Sequence, residues 1–277
     1  MTAPSDLTPT DTPTVTPQDL ADALTALRDQ SPLVQCLTNV VVAGFTANVL
    51  LAVGAAPAMV DNPQEAGDFA GVAGAVLVNL GTPQVDTARA MHLAVAGAKL
   101  AGTPWVLDPV AAGALRWRTN LARQLMREAR PAIVRGNASE ILALVGGQGG
   151  RGVESVDSPE AAAEAAMLLA AQQQSVIAVS GPVDHITDGG RMVRISNGHL
   201  WLTRVTGGGC ALGALMAAFA AVVPDAVVAA AAATATLTVA ADSAAEQVRG
   251  PGTFAVALLD ELALIQPADL AERVRMG

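Results

Sequence analysis

The chain has 277 residues, with 16 Lys and Arg against 25 Asp and Glu and a net charge of −9. Hydrophobic residues make up 52% and charged residues 15%, which excludes a disordered chain, and no basic surplus exists to neutralise the phosphates of a nucleic acid. With 2 Cys there is no disulfide framework, as expected of a reducing, cytoplasmic compartment.

Tyr is absent and the aromatics are 4 Phe and 3 Trp, so core volume must come from Val, Leu, Ile and Ala. That composition suits a layered α/β protein better than an aromatic-rich sandwich. Residues 1–15 are rich in Thr and Pro and carry no Lys or Arg. They lack the basic start and apolar run of a signal peptide and read as a disordered tail before one domain, 16–277.

Thr16 caps a helix that has Pro17 at its first position and runs to about Gln30. Leu33 to Leu37 reads as a strand, and Asn39 to Val53 as a helix closed by Gly54. A short strand, Pro57 to Val60, and a helix, Pro63 to Ala73, follow. Ala75 to Asn79 is a continuous apolar run of the kind a strand covered on both faces requires. Pro83 to Leu100 is helical, Trp105 to Asp108 a strand, Thr119 to Ala129 a helix, Ala132 to Val134 a strand and Asn137 to Val145 a helix. Pro159 to Gln173 is an Ala/Glu helix with Ser158 as its cap. Val176 to Val179 is a buried strand. Asp184 to Thr187, Met192 to Ser196 and His199 to Thr203 alternate as antiparallel strands would. Helices follow from Gly209, from Asp225 to Gln247, from Pro251 to Leu264 and after Pro267. Strands alternating with helices predict a mainly parallel sheet with helices on both faces.

Residues 211–241 are nearly continuous Ala, Val and Leu. Pro224 and Asp225 interrupt the run, so two buried helices joined at Val223–Pro224–Asp225 are expected, not a membrane span. The sequence holds no standard phosphate-binding G-x-x-x-x-G-K-[ST] loop, no H-E-x-x-H, no C-x-x-C and no G-x-S-x-G elbow. His92, His185 and His199 are scattered, which argues against a zinc site. Gly147 to Gly152 matches G-x-G-x-x-G as a string, but a helix precedes it and a polar stretch follows, so it reads as a loop.

Gly207-Gly208-Gly209-Cys210 is different, because it follows the expected strand His199 to Thr203 and opens a long apolar helix. Three glycines let the backbone approach a ligand closely, and the first-turn N–H groups can hold an anion. Gly207, Gly208, Gly209 and Cys210 are therefore a candidate anion hole, in which the helix terminus should lower the Cys210 thiol pKa. A tight connection with a buried Cys is the alternative. Asn79, Asp108, Arg135, Asn137 and Ser180 stand at or just beyond strand ends, where open α/β sheets bind ligands. Arg135 could bind phosphate, and Asp108 with Glu140 could hold Mg²⁺. Asn137 would serve equally as a helix N-cap, and Asp108 as a turn cap.

Several segments occur in an order that is specific as a set: Ser31-Pro-Leu-Val34, Leu37-Thr-Asn39, Phe45 to Ala55, Pro57-Ala-Met59, Val78 to Thr82, Val106 to Val110, Arg135 to Glu140 and Val205 to Cys210. From about Leu24 to Leu264 the chain resembles the hydroxyethylthiazole kinase family of the ribokinase-like superfamily. The resemblance implies a three-layer α/β/α fold with a mainly parallel central sheet flanked by helices. It implies ATP-dependent, Mg²⁺-dependent phosphorylation of the primary hydroxyl of 4-methyl-5-(2-hydroxyethyl)thiazole, in thiamine biosynthesis or salvage. Met59, Gly207 and Asn39 then fall at the thiazole; Arg135, Ser180 and Asn137 at ATP; Asp108 and Glu140 at the magnesium–phosphate region. Cys210 stands where other ribokinase-like kinases carry an Asp base. The family forms homotrimers with active sites at subunit interfaces. Departures are Ser180-Gly181-Pro182 for the usual Thr-Gly-Glu, Gln35-Cys36 before Thr38 where a His is usual, and Gly208 in the loop. Rival readings are a pyrimidine-alcohol kinase, a nicotinamide-hydrate dehydratase and a catalytically silent nucleotide-binding protein. A dinucleotide oxidoreductase fails for want of an acidic strand end about 20 residues past the loop.

Overall fold

The computed structural model describes residues 14–146, 159–246 and 248–277. The start of the chain up to residue 13, the Gly147–Gly152 string, Ser158 and Gln247 lie outside the described residues. Val15, the last residue of the expected tail, is buried. It precedes the N-cap Thr16 and belongs to the same apolar cluster as Leu20, the pairing of a hydrophobic staple. Thr16 and Asp19 form a reciprocal capping box at the start of α1 (Pro17–Gln30).

The remaining elements are β1 (Leu33–Leu37), α2 (Ala43–Val53), β2 (Ala56–Ala58), α3 (Ala66–Ala70), β3 (Ala75–Asn79), α4 (Val85–Ala101), β4 (Trp105–Asp108) and α5 (Arg116–Glu128). They continue with β5 (Ile133–Asn137), α6 (Ala138–Val145), α7 (Pro159–Gln173), β6 (Val176–Ser180), β7 (Asp184–Thr187) and β8 (Met192–Ile195). A 3₁₀ turn (Leu200–Thr203) precedes α8 (Gly208–Ala220), α9 (Ala226–Ala245), α10 (Pro251–Leu264) and α11 (Pro267–Arg273).

One sheet runs in the order β2-β1-β3-β4-β5-β6-β7-β8. Neighbours from β2 to β6 pair in parallel, and β7 and β8 are added antiparallel. Strand side chains alternate between two cores because the strand period is two. In β3, Ala75 and Leu77 join the core under α1, α2 and α8–α11, whereas Val76 and Val78 join the one under α3–α7. This is the expected three-layer α/β/α arrangement.

The Ala-rich region forms α8 and α9, joined across residues 221–225, with the Asp225 carboxylate capping α9. Small side chains let these helices press closely on the sheet: a Cβ on Gly213 would already lie 3.1 Å from Leu77 Cδ1. α9 is long and apolar enough to cross a bilayer, but 78% of its most apolar stretch is buried inside the fold. It is a core helix.

Several boundaries move by up to three residues: the helix expected over Pro63–Ala73 shortens to Ala66–Ala70, α5 starts at Arg116, and β2 is Ala56–Ala58. Two expectations change more. Residues 199–203 are not a strand. Gly198 turns the chain at φ +119°, the His199 ring accepts from the Trp201 amide, and Thr203 Oγ1 donates to the Leu200 carbonyl, which winds the segment into a 3₁₀ turn. The free edge of β8 is meanwhile taken by residues 275–277. The second helix begins at Ala43, because Asn39–Val42 forms a turn closed by Val42 N donating to Asn39 O. That turn frees the Asn39 side chain for the sheet edge.

Candidate active site

Parallel strands deliver their carboxyl ends to one edge, so residues far apart in sequence meet there. β4 ends on Asp108, β3 on Asn79, β6 on Ser180, and β5 carries Arg135 and Asn137 near its end. Asn39 enters from the turn after β1, and the N-terminus of α8 closes the group.

A continuous polar chain results. Ser180 Oγ accepts from Arg135 Nε and Nη2 at 3.3 and 3.0 Å. Arg135 Nη1 lies 3.6 Å from Asp108 Oδ2, which also accepts from Asn79 Nδ2 at 2.7 Å. Asn79 Oδ1 accepts from Asn39 Nδ2 at 2.9 Å, and the same Nδ2 points at Cys210 Sγ at 3.4 Å. Asp108 is fully buried, and its Oδ1 has no hydrogen-bond partner among the described residues.

The start of α8 presents free first-turn amides next to a cation. Gly207 caps it at φ +101°, where a Cβ would also strike Val42 and Phe45. The amides of Gly208, Gly209 and Cys210 lie in the first turn, and Ala211 is the first to reach a carbonyl of the helix region, Gly207 O. Arg135 is pressed against this turn, since a Cβ on Gly209 would lie 2.8 Å from its Nη1. A guanidinium at the positive end of a helix is unfavourable unless an anion joins it. The turn follows the 3₁₀ segment and not a strand, so the strand-to-helix context expected from the sequence is corrected while the helix-terminus geometry stands. Beside it opens a cavity of about 680 Å³ whose walls include Arg135, Ser180, Asp184, Gly209, Leu212 and Thr238.

The charges here are held at a cost. Burial pushes Asp108 up to about 6; Arg135 opposes the rise, Glu140 adds to it, and the Asn79 bond lowers it. Asp184, overlooked in the sequence because it merely opens a short strand, is buried and pushed to about 6 by desolvation, against the Gly181 amide, Arg135 and Ser180. The Cys210 thiol corrects the sequence expectation. Burial and the Asp108 carboxylate raise its pKa, more than the Asn79 and Asn39 donors and Arg135 pull it down. Cys210 therefore rests as a thiol.

A carboxylate with a raised folded pKa makes the native state bind protons that the unfolded state has released, so stability falls as pH rises from about 4 to 6. Asp184→Asn should remove this penalty. We expect a gain on the order of 2 kcal/mol at pH 7.5 and a flatter pH 4–6 profile in urea titrations. An unchanged profile would mean that Asp184 is not held against its own ionisation.

Glu140 and Asn137 are partly committed to structure. Asn137 Oδ1 accepts from Glu140 N, so Asn137 is the N-cap of α6. Glu140 Oε2 accepts from Asn137 N and Oε1 from Ala111 N, which pins Ala111 at φ +63° just after Asp108. Mg²⁺ prefers hard oxygen ligands, commonly one or two carboxylates with water and substrate phosphates completing the shell. The partnerless Asp108 oxygen and the nearby Glu140 carboxylate fit that demand. Met59 follows β2 at the same edge and is 40% exposed. Gln35, buried beneath it, donates to the carbonyls of Val60 and Ala66 and so ties down the Met59 segment.

The three-layer fold is ribokinase-like. A ribokinase-like superfamily protein from Enterococcus faecalis V583 shares the fold at TM-score 0.64 and 13% identity, covering 95% of this chain and 99% of that one. A hydroxyethylthiazole kinase from Pyrococcus horikoshii OT3 superposes at TM-score 0.87 and 37% identity, covering 93% and 98%. Relatives named hydroxyethylthiazole kinase from Clavibacter sepedonicus and Cutibacterium acnes are 59% and 54% identical, over 93% and 92% of this chain and 94% and 92% of theirs. The hydroxyethylthiazole kinase family model matches residues 24–267, and the chain belongs to that family.

Proposed function

We propose that the protein transfers the γ-phosphoryl group of ATP to the primary hydroxyl of 4-methyl-5-(2-hydroxyethyl)thiazole, in thiamine biosynthesis or salvage. The observation that carries this reading is the opening of α8, where first-turn amides, the Arg135 guanidinium and the Cys210 sulfur converge beside a nucleotide-sized cavity. Phosphoryl transfer needs mainly positioning and charge stabilisation, and this cluster supplies both. Arg135 and Ser180 would bind the triphosphate, with Asn137 flanking it. The Gly207–Cys210 turn would hold the migrating group, and Met59, Asn39 and Gly207 would seat the thiazole. Asp108 would hold Mg²⁺ through its unpartnered Oδ1 and Glu140 through water; the bound ion would neutralise phosphate charge. Cys210 orients the hydroxyl and takes its proton late.

Because the Cys210 thiol is raised, its thiolate population, and with it the rate, should climb between pH 7 and 9. Cys210→Asp places an ionised carboxylate at the same point, so it should stay active with a flat profile over that range. Cys210→Ala should lose about 10²-fold in kcat with little change in KM for ATP. An ADP-coupled assay with the thiazole alcohol, ATP and Mg²⁺ measures all three, with a pyrimidine alcohol as the competing acceptor. Full turnover by Cys210→Ala would remove the base role; preference for the pyrimidine would replace the substrate.

The chain is also proposed to be one cytoplasmic domain, 16–277, assembling as a homotrimer with its active sites at subunit interfaces. Val40 and Val41, which follow β1, are 77% and 64% exposed, and Met59 follows β2 nearby. A neighbouring subunit covering them would complete the thiazole pocket. Light scattering on the purified protein tests this.

A further inference from the structure

Asn79 is 1% exposed and has no access of its own to a substrate. Yet its carboxamide joins the carboxylate at the phosphate side of the site to the sulfur at the alcohol side. Its orientation is fixed twice. The Gly81 amide can only donate, and it meets Asn79 Oδ1 at 2.9 Å, so the oxygen faces Gly81 and Asn39. Nδ2 must then face Asp108, whose Oδ2 accepts at 2.7 Å. Asn79 Oδ1 can only accept, which turns the Asn39 Nδ2 group toward it, and that same group reaches Cys210 Sγ at 3.4 Å. Gly81 is itself needed for this packing, because a Cβ there would lie 2.5 Å from Asn39 Nδ2.

The geometry points to Asn79 as a positioning residue that sets the direction of the Asp108–Asn79–Asn39–Cys210 hydrogen-bond chain, so that the protein always presents a donor to the sulfur. A sulfur that accepts from the protein favours its anionic form, and any S–H proton is directed away from Asn39. Without Asn79 the Asn39 amide loses the acceptor that turns its NH₂ group toward Cys210. The carbonyl end would disfavour the thiolate that proton abstraction needs. This inference rests on the kinase reading for its catalytic meaning, but the state of the sulfur can be read without any turnover.

The test is the rate of iodoacetamide alkylation at Cys210 at pH 7.5, followed by peptide mass spectrometry. Cys36 is buried, with its thiol pushed up to about 12, and provides an internal silent control. Asn79→Ala should slow alkylation about three- to tenfold, the effect of up to one unit in thiol pKa. It should lower kcat on the thiazole alcohol in parallel, leaving KM for ATP within about twofold. Asn39→Ala removes the donor that Asn79 is inferred to aim, so it should slow alkylation to a similar extent. In the Asn39→Ala background, adding Asn79→Ala should change the rate by less than about twofold, because Asn79 acts through Asn39. Native-like alkylation in folded Asn79→Ala overturns the inference, as does a slowing by Asn79→Ala that persists undiminished without Asn39, which would mean direct contact of Asn79 with the sulfur. If Asn79→Ala does not fold, Asn39→Ala alone decides: native-like alkylation there would mean that Asn39 presents no donor to Cys210. A native protein that alkylates as described but phosphorylates no thiazole alcohol would refute the kinase reading and leave the hydrogen-bond direction standing.

Discussion

Arg135→Ala should lower kcat/KM for ATP by about 10³-fold, the largest loss expected from any single side chain here. Two effects add. The guanidinium lies against the Gly209 turn and on Ser180, so its removal takes away a side-chain cation placed beside the first-turn amides of α8. It also strips Asp108 of the positive charge that most strongly opposes its raised pKa, so the carboxylate drifts toward the neutral acid and becomes a poor ligand for a cation. The fold should survive, since a buried carboxylic acid can simply keep its proton. Arg135→Lys keeps the charge without the two-pronged geometry and should fall between the two. Steady-state kinetics with ATP varied, alongside thermal melts, test this. An Arg135→Ala enzyme within about fivefold of native would mean the phosphates bind elsewhere.

Gly209→Ala should separate stability from activity. Ala is better than Gly inside a helix by up to about 1 kcal/mol, so the melting temperature should hold or rise. The added Cβ, however, would lie 2.8 and 2.9 Å from Arg135 Nη1 and Nη2, at the far end of a flexible side chain that can swing away. The backbone stays and the cation leaves, and kcat/KM for ATP should drop about 10²-fold. Gly207 makes a useful contrast. There φ is +101° and a Cβ would strike Val42 Cγ1 at 2.9 Å, so Gly207→Ala should lose stability first. If Gly209→Ala instead melts early with normal turnover per folded molecule, Arg135 does not need that space.

Much of this was legible before the chain folded. Apolar runs such as Ala75–Asn79, the Thr16 cap, Pro17, Pro251 and Pro267 at first helical positions, and Gly54 at a helix end all rest on local rules, and the elements fall where those rules put them. So did the polar residues at strand ends, because a parallel sheet carries its ligand groups on one edge. Less legible were elements whose fate depends on a distant neighbour. The segment 199–203 alternates like a strand, yet β8 had its free edge taken by residues 275–277, almost eighty positions later. Asp184 gave no signal, since a carboxylate opening a short strand is ordinary until β5 and β6 set Arg135 and Ser180 beside it.

The sequence by itself determined the alternation of strands and helices, and therefore the layered sheet, because side-chain periodicity and capping act over a few residues. It also determined that free amides open α8, since the first turn of any helix lacks intrahelical acceptors and consecutive glycines leave those amides uncovered by side chains. Only the tertiary structure decided how the groups at that site are charged. Whether Cys210 is thiol or thiolate depends on burial and on a carboxylate about a hundred residues away, and here those outweigh the helix terminus that local reasoning sees. Desolvation and charge coupling are properties of the assembled interior, and no stretch of chain carries them alone.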